Sequence, residues 1–232
     1  GISPFGIWKP GFPAGIKGSS QYDELYADAK LWLNQGWVDY FTPQLYWPIN
    51  SPGQSFPLLL QWWNEENTKS RHLWPGLNTV AVKTANPVAE IAAQIDVTRQ
   101  ILKNNAGEVH YSIAGITKNY GMQQELKTNS YKEKALVPET RWLTTKPVAE
   151  LNVNLKKESN TIVVNWDKAP EALSYVIYLK YGDNWQAEIL SPQIKTKTVS
   201  SHLNGKKLTL VVVRYADKLG KLSPYKALSV AN

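Results

Sequence analysis

Gly36-Trp37-Val38-Asp39-Tyr40-Phe41-Thr42-Pro43-Gln44-Leu45-Tyr46-Trp47 is a hydrophobic strand that follows a helical stretch and ends in an amide and two aromatics. Amides and flat rings are the groups that hold sugars: the ring face takes the apolar side of a pyranose and the amide takes its hydroxyls. In a β/α barrel the C-terminal ends of the strands face the active site and the other ends only stabilise. The stretch therefore places Gln44, Tyr46 and Trp47 in a mouth and Asp39 near the floor.

Outward from it, residues 1–120 alternate strands with helices. Ile2 to Trp8 is an expected strand, and Pro10 to Ser19 is a Gly/Pro/Ser-rich loop. Ser20 and Asp23 resemble a capping box ahead of Tyr22, Leu25, Tyr26, Ala29, Trp32 and Leu33, which repeat at helical spacing until Gly36. After the strand ending at Tyr46 come a helix over Phe56–Asn67 and a strand over His72–Asn78. A third helix starts at Asn86-Pro87, proline being well tolerated at the first helical position. A last strand is expected over Glu108–Ile116. This β-α-β-α-β-α-β order implies a parallel sheet. Four parallel strands on their own leave two open edges, which natural sheets avoid, so the pattern is that of half a barrel.

From Val148 the hydrophobic period becomes two. Leu151–Leu155, Thr161–Trp166, Tyr175–Leu179, Trp185–Leu190, Thr196–Val199, Leu208–Arg214 and Ala227–Val230 are short runs separated by turns such as Tyr181-Gly182-Asp183 and Asn204-Gly205. Seven short strands in so little chain predict a β-sandwich. The fold class is thus α/β plus all-β. A partial barrel occupies 1–146, with a polar linker from about 121, and a sandwich occupies 147–232.

At 232 residues the chain has room for both, and no apolar run is long enough to cross a membrane. Gly1 opens directly onto strand-like sequence, which suggests a processed or cut chain. The absence of cysteine excludes disulfides and thiol chemistry. The net charge of +7 divides into +2 for residues 1–146 and +5 for 147–232. The lysines of the second half fall at strand ends and edges, where charge discourages aggregation, and the aromatics lie in the other half. Nucleic acid is therefore not an expected partner.

Seven of the ten tryptophans lie in residues 1–74. Trp8 and Trp47 fall at C-terminal strand ends and are candidates for ligand contact, whereas Trp32, Trp62 and Trp63 fall on helices and are read as packing. Asn78, after Gly76, joins Trp8, Gln44, Tyr46 and Trp47 as a candidate substrate-binding residue. Ser112 and Lys118 are weaker candidates. Glycoside hydrolases mostly use two carboxylates flanking the bond to be cut. Here Asp23, Asp28, Glu90 and Asp96 fall on helices and Glu65 and Glu66 end one, so no acid pair stands out and the catalytic residues are unassigned. His72, His110 and His202 lack metal-ligand spacing; neither a metal nor an organic cofactor is expected.

Ile2-Ser3-Pro4-Phe5-Gly6-Ile7-Trp8, then Tyr22-Asp23-x-Leu25-Tyr26-Ala27-Asp28, Trp37-Val38-Asp39-Tyr40, Pro43-Gln44-Leu45-Tyr46-Trp47 and Trp62-Trp63, resemble the bacterial glycosyl-hydrolase-like family 10 over about residues 2–120. The resemblance implies a TIM-barrel glycosidase exported from the cytoplasm. Its substrate would be a polysaccharide, with the glycan strands of peptidoglycan one candidate. It also implies that the Ser-Pro-Phe-Gly-Ile-Trp string is the fifth barrel strand, so that this chain carries strands five to eight. The family's tandem-aspartate segment, the expected source of catalytic acid, has no counterpart here. Residues 147–232 look like a fibronectin type III module with Trp166 and Tyr175 as core markers. Two other possibilities stay open: a non-catalytic carbohydrate-binding or surface-interaction module, and self-association through the open half-barrel.

Overall fold

The computed structural model describes residues 1–103, 106–143 and 148–230. The chain divides into two compact units, Gly1–Lys132 and Glu133–Asn232. The expected boundary at 146/147 lies outside the described residues.

In the first unit the elements run α1 (Gln21–Glu24), α2 (Ala29–Gln35), β1 (Tyr40–Phe41), α3 (Phe56–Glu66), β2 (His72–Leu73), β3 (Gly76–Asn78), α4 (Pro87–Leu102), β4 (Val109–Tyr111), α5 (Ile113–Thr117) and α6 (Tyr120–Glu125), followed by a π-helical turn, Leu126–Ser130. Four extended segments lie side by side and parallel, in chain order. Ile2 pairs with Phe41 and Phe5 with Gln44. Tyr40 pairs with His72 and Phe41 with Leu73. Gln44 pairs with Gly76, and Gly76, Leu77 and Asn78 pair with Val109, His110 and Tyr111. Among the described residues no strand covers the outer edge of the 2–5 segment or of β4.

The strands are shorter than their hydrophobic runs. Pro4, Pro43 and Pro75 fall in register across three adjacent segments, and a proline has no N–H to give the ladder. Their carbonyls still accept from the next segment: Gln44 N–H donates to Pro4 (3.0 Å), Gly76 to Pro43 (2.9 Å) and Val109 to Pro75 (3.1 Å). The row of prolines thus breaks the strands into pieces without separating them.

The helices start and stop where side chains satisfy their ends. Asn86 caps α4 by accepting from Ala89 N–H, and Gly36 ends α2 in the left-handed conformation. The helix expected over Tyr22–Leu33 is two helices. Ser20 Oγ accepts from Asp23 N–H to cap the first, the reciprocal bond to Ser20 N–H coming from Glu24 rather than Asp23. Tyr26 then takes a φ of 51°, and Asp28 caps a new start by accepting from Leu31 N–H. The strand expected over Glu108–Ile116 stops at Tyr111 and becomes α5. Gly115 is what admits that helix, since a Cβ there would stand 2.3 Å from the Thr79 carbonyl oxygen. The segment expected to be a polar linker from residue 121 is α6 plus the π turn. It is held by Asn119, which accepts from Met122 N–H, and by the buried Met122 and Leu126.

The core lies between sheet and helices. Phe41, Leu45, Leu73 and Leu77 from the strands meet Leu33, Phe56, Leu59, Leu60, Trp63, Ile91 and Ile95 from the helices. Trp62 and Trp63 are buried and Trp32 packs partly against the same cluster, as their helical placement predicts.

The second unit is antiparallel: β5 (Val153–Glu158), β6 (Thr161–Trp166), β7 (Ser174–Tyr181), β8 (Asn184–Leu190), β9 (Thr196–Ser200), β10 (His202–Leu203), β11 (Lys206–Ala216) and β12 (Leu228–Ser229). One sheet has the order β5-β6-β9; the other has β8-β7-β11, with β10 and β12 both on the far side of β11. Trp166 and Tyr175 meet in the core at 5.6 Å between ring centroids. Tyr181 on β7 donates its hydroxyl to the Ser200 carbonyl on β9, tying the two sheets together.

Candidate functional site

The face of the first sheet that turns away from the buried Phe41, Leu73 and Leu77 carries two aromatic stacks. At the start of the strands the buried His72 lies flat on Trp74 (4.9 Å, 9°), and Tyr40 stacks on Trp74 as well, at 5.4 Å. Towards the strand ends Tyr46 stacks on Tyr111 (5.5 Å, 26°). Tyr40 is 41 % exposed and Tyr111 58 %, so this face is open. Gly76 lies beside the second stack and lets Tyr46 lie across the backbone, as a Cβ there would come 3.1 Å from Tyr46 Cε1. The Tyr111–Ser112 peptide is cis.

Gln44 stands at the bend where Leu45 N–H turns back to the Pro43 carbonyl, and its amide donates to the Ser3 carbonyl of the neighbouring segment at 2.9 Å. That bond fixes the amide in place on the strand end. Asn78 is in register with Tyr111, which brings it beside the Tyr46 stack. Its Oδ1 accepts from Val80 N–H (3.2 Å) and Ala81 N–H (2.9 Å), so it also shapes the loop beyond β3. Trp47 packs edge-on against Phe5 at 5.6 Å, over Gly6, where a Cβ would meet its ring at 2.9 Å. Gln94 holds the Trp47 carbonyl from α4. Ser112 gives its carbonyl to the Thr79 hydroxyl, and Lys118 is exposed at the end of α5.

Trp8 belongs to a different cluster. Its indole N–H donates to Asp28 at 3.1 Å, its ring stacks on Trp62 at 6.0 Å, and Phe12 and Tyr22 meet it edge-on. Lys30 stands 5.0 Å from the ring and pairs with Glu66. The structure therefore brings Gln44, Tyr46 and Asn78 together, sets Trp47 next along the chain, and seats Trp8 towards α2 and α3. Tyr40, Trp74 and Tyr111 line the face without having been singled out in sequence. Their only signal there was alternation with Phe41, Leu73 and His110, and the register that aligns them is set between segments more than thirty residues apart.

The face offers aromatic rings and side-chain amides. Burial raises the Tyr46 phenol, and Tyr111 adds to the effect, so Tyr46 remains protonated at neutral pH. Burial lowers His72, with Asp39 opposing, which keeps the ring neutral at pH values below its ordinary range. Gln44, Tyr46, Asn78, Tyr40, His72, Trp74, Val109 and Tyr111 include no carboxylate. Behind the sheet, Tyr131 donates to Glu108 at 3.0 Å and meets His110 Nε2 at 2.8 Å. With the phenolic proton given to Glu108, Nε2 carries the ring proton. This cluster lies on the face of the strand opposite Tyr111. Among the described residues no group of three His, Asp or Glu side chains is close enough to hold a metal.

Open aromatic rings and a fixed amide thus stand at the ends of the parallel strands. Residues 1–95 match the family described as Glycosyl hydrolase-like 10. Glycosyl hydrolase YngK of Bacillus subtilis (strain 168) is 32 % identical over 244 residues, covering 94 % of this chain and 47 % of that protein. Glycosyl hydrolase DigH of Escherichia coli (strain K12) is 40 % identical over 67 residues, covering 27 % of this chain and 15 % of that protein. The chain thus spans about half the length of the first relative and less of the second. The crystal structure of the Clostridium perfringens spore cortex lytic enzyme SleM aligns with 83 % of this chain and 79 % of its own at 15 % identity and a TM-score of 0.35, a likeness too weak to carry an argument.

Proposed function

We propose that residues 1–132 are the C-terminal half of a β/α barrel, strands five to eight of a glycoside hydrolase acting on a polysaccharide, and that their open face is one wall of the glycan cleft. The observation that carries this is the Tyr46–Tyr111 stack with Gln44 and Asn78 beside it, at the strand ends and opposite the helix-packed core. The two uncovered edges of the four-segment sheet support a half-barrel, because a closed barrel would pair both. Two copies pairing through those edges is the other way of covering them; a monomer at high concentration in sedimentation would dismiss it.

In this proposal Tyr46 and Trp47 offer apolar faces to pyranose rings, Gln44 and Asn78 take hydroxyls, and Trp8, seated on Trp62 and Asp28, stands apart from the cleft. Hydrolysis proceeds by paired carboxylates supplied from outside this chain, so the 232 residues bind but do not turn over. The substrate class we favour is the glycan strand of peptidoglycan, met outside the cytoplasm. The second unit is a fibronectin type III-like sandwich: its strand order, three strands in one sheet and five in the other with a long central β11, supports that assignment. The test is Gln44→Ala and Tyr46→Ala in the full-length parent. Each is expected to lower kcat/KM on purified glycan strands by about tenfold or more while the fold persists. Wild-type values for both would refute the placement.

The lack of a carboxylate among Gln44, Tyr46, Asn78 and Tyr111 equally favours a second reading, a non-catalytic carbohydrate-binding or surface-interaction module. Glycan binding by the full-length parent without release of reducing ends would select it.

A further inference from the structure

The second unit carries a depression that the barrel reading leaves unused. On β7 and β11 the residues Ile177, Leu179, Val211 and Val213 face the core. Alternation therefore turns Tyr178, Val212 and Arg214 to the opposite face of the same sheet. There, with Trp185 from β8 and Tyr225 from the loop before β12, they line a cleft of about 260 Å³. Val212 is buried at its floor. Trp185 and Tyr225 stand at its walls, 51 % and 55 % exposed. Two large aromatics half in water are costly to display on a small sandwich whose core is already complete.

The walls are held in position. Arg214 Nε donates to the Ser223 carbonyl at 2.6 Å, and the guanidinium lies 5.1 Å from the Tyr225 ring centroid. Ser223 is fully buried and trades hydrogen bonds with Tyr215 in both directions: its N–H donates to the Tyr215 carbonyl (2.9 Å) and its Oγ accepts from Tyr215 N–H (3.2 Å). Asp217 ties the same loop by accepting from Leu219 and Lys221 N–H. The site is thus preorganised, which lowers the entropy cost of binding. Its lining contains a guanidinium and no carboxylate.

We propose that this cleft is a glycan-binding site for an acidic saccharide: a pyranose ring stacks on Trp185 and Tyr225, and a carboxylate on the sugar takes the fork of Arg214. Stacking on a rigid aromatic is selective for rings with an apolar face, and Arg214 supplies the charge that neutral sugars do not need. The site lies wholly in the second unit, so the proposal goes beyond the reading of residues 1–132 and does not depend on it.

The experiment is calorimetric titration of the 232-residue chain with hexagalacturonate and, as the neutral probe, chitohexaose. Wild-type chain is expected to bind hexagalacturonate more tightly. Trp185→Ala and Tyr225→Ala should each weaken it by about tenfold or more, the usual cost of truncating an aromatic anchor. Arg214→Gln should erase the preference for the acidic probe, and Leu173→Ala, exposed on the second unit outside the cleft, should leave the affinity unchanged. Far-UV circular dichroism checks that the variants fold. No heat at millimolar hexagalacturonate overturns the proposal, as does binding that survives Trp185→Ala. Binding lost with Trp47→Ala instead would overturn it while supporting the first-unit face. A concentration-dependent dimer that Trp185→Ala abolishes, with no response to either saccharide, would show the cleft to be a protein contact and sink the glycan site.

Discussion

Gly6 and Gly76 set how closely the aromatic side chains at the strand ends approach the backbone. At Gly6 a Cβ would lie 2.4 Å from the Gln44 carbonyl oxygen, which cannot move without shifting the neighbouring segment. Gly6→Ala should therefore destabilise the first unit by about 1–3 kcal/mol, read as a lower urea midpoint with unchanged slope. Gly76→Ala meets only the edge of the Tyr46 ring at 3.1 Å; it should cost less and disturb the Tyr46–Tyr111 stack, whose own worth is about 0.5–1.5 kcal/mol. On the face of the strand opposite Tyr111, burial raises Glu108, with the Tyr131 hydrogen bond and Arg99 opposing. A raised folded pKa favours the protonated form, so this contribution is complete below the ordinary value of 4.5 and is lost as pH rises through the folded value. Glu108→Gln keeps an acceptor for Tyr131 and cannot ionise. Its Tm should exceed the wild type's at about pH 8, with the gain vanishing at about pH 4. An equal difference at both would contradict the assignment. His72 and His110, both lowered by burial, act in the other sense: their contribution is present above 6.5 and is lost as pH falls through their folded values.

At the level of elements, α3 matters most to the sheet. Trp63 is fully buried, touches Phe41 at 4.8 Å between centroids and donates its indole N–H to the Gly6 carbonyl at 2.8 Å. Trp63→Ala removes the ring and orphans that carbonyl, a loss of about 3–5 kcal/mol, measurable as a fall in the denaturation midpoint. Elements with local end signals were legible in the sequence: Asn86-Pro87 for α4, Gly36 for the stop of α2, Asn204-Gly205 for the β10–β11 hairpin. Those decided by distant contacts were not. The break at Tyr26 needs Asp28 as a second cap, and α5 needs Gly115 against Thr79. Met122 and Leu126, buried in a stretch otherwise polar, gave too short an apolar pattern to outweigh its turn residues. The candidate site divides the same way. Gln44, Tyr46 and Trp47 are neighbours in sequence and were found together, whereas Tyr111 and Trp74 reach the face only through strand register. Trp8, at a strand end in sequence, turns towards Asp28 and Trp62, because that pair offers its indole both a hydrogen bond and a ring to lie on.

For the whole molecule, the first unit offers rings and amides on an open sheet face with no carboxylate among them, and the second carries an aromatic and cationic cleft of its own. Both are proposed to hold a saccharide. The proposed division of labour is that this chain grips and that acids elsewhere in the parent cut. The most direct test incubates the purified 232-residue chain with peptidoglycan glycan strands and follows tryptophan fluorescence and reducing-end release together. The proposal predicts a saturable fluorescence change, diminished by Tyr46→Ala, with no release. Release of reducing ends that a single substitution within Gly1–Asn232 abolishes would contradict it.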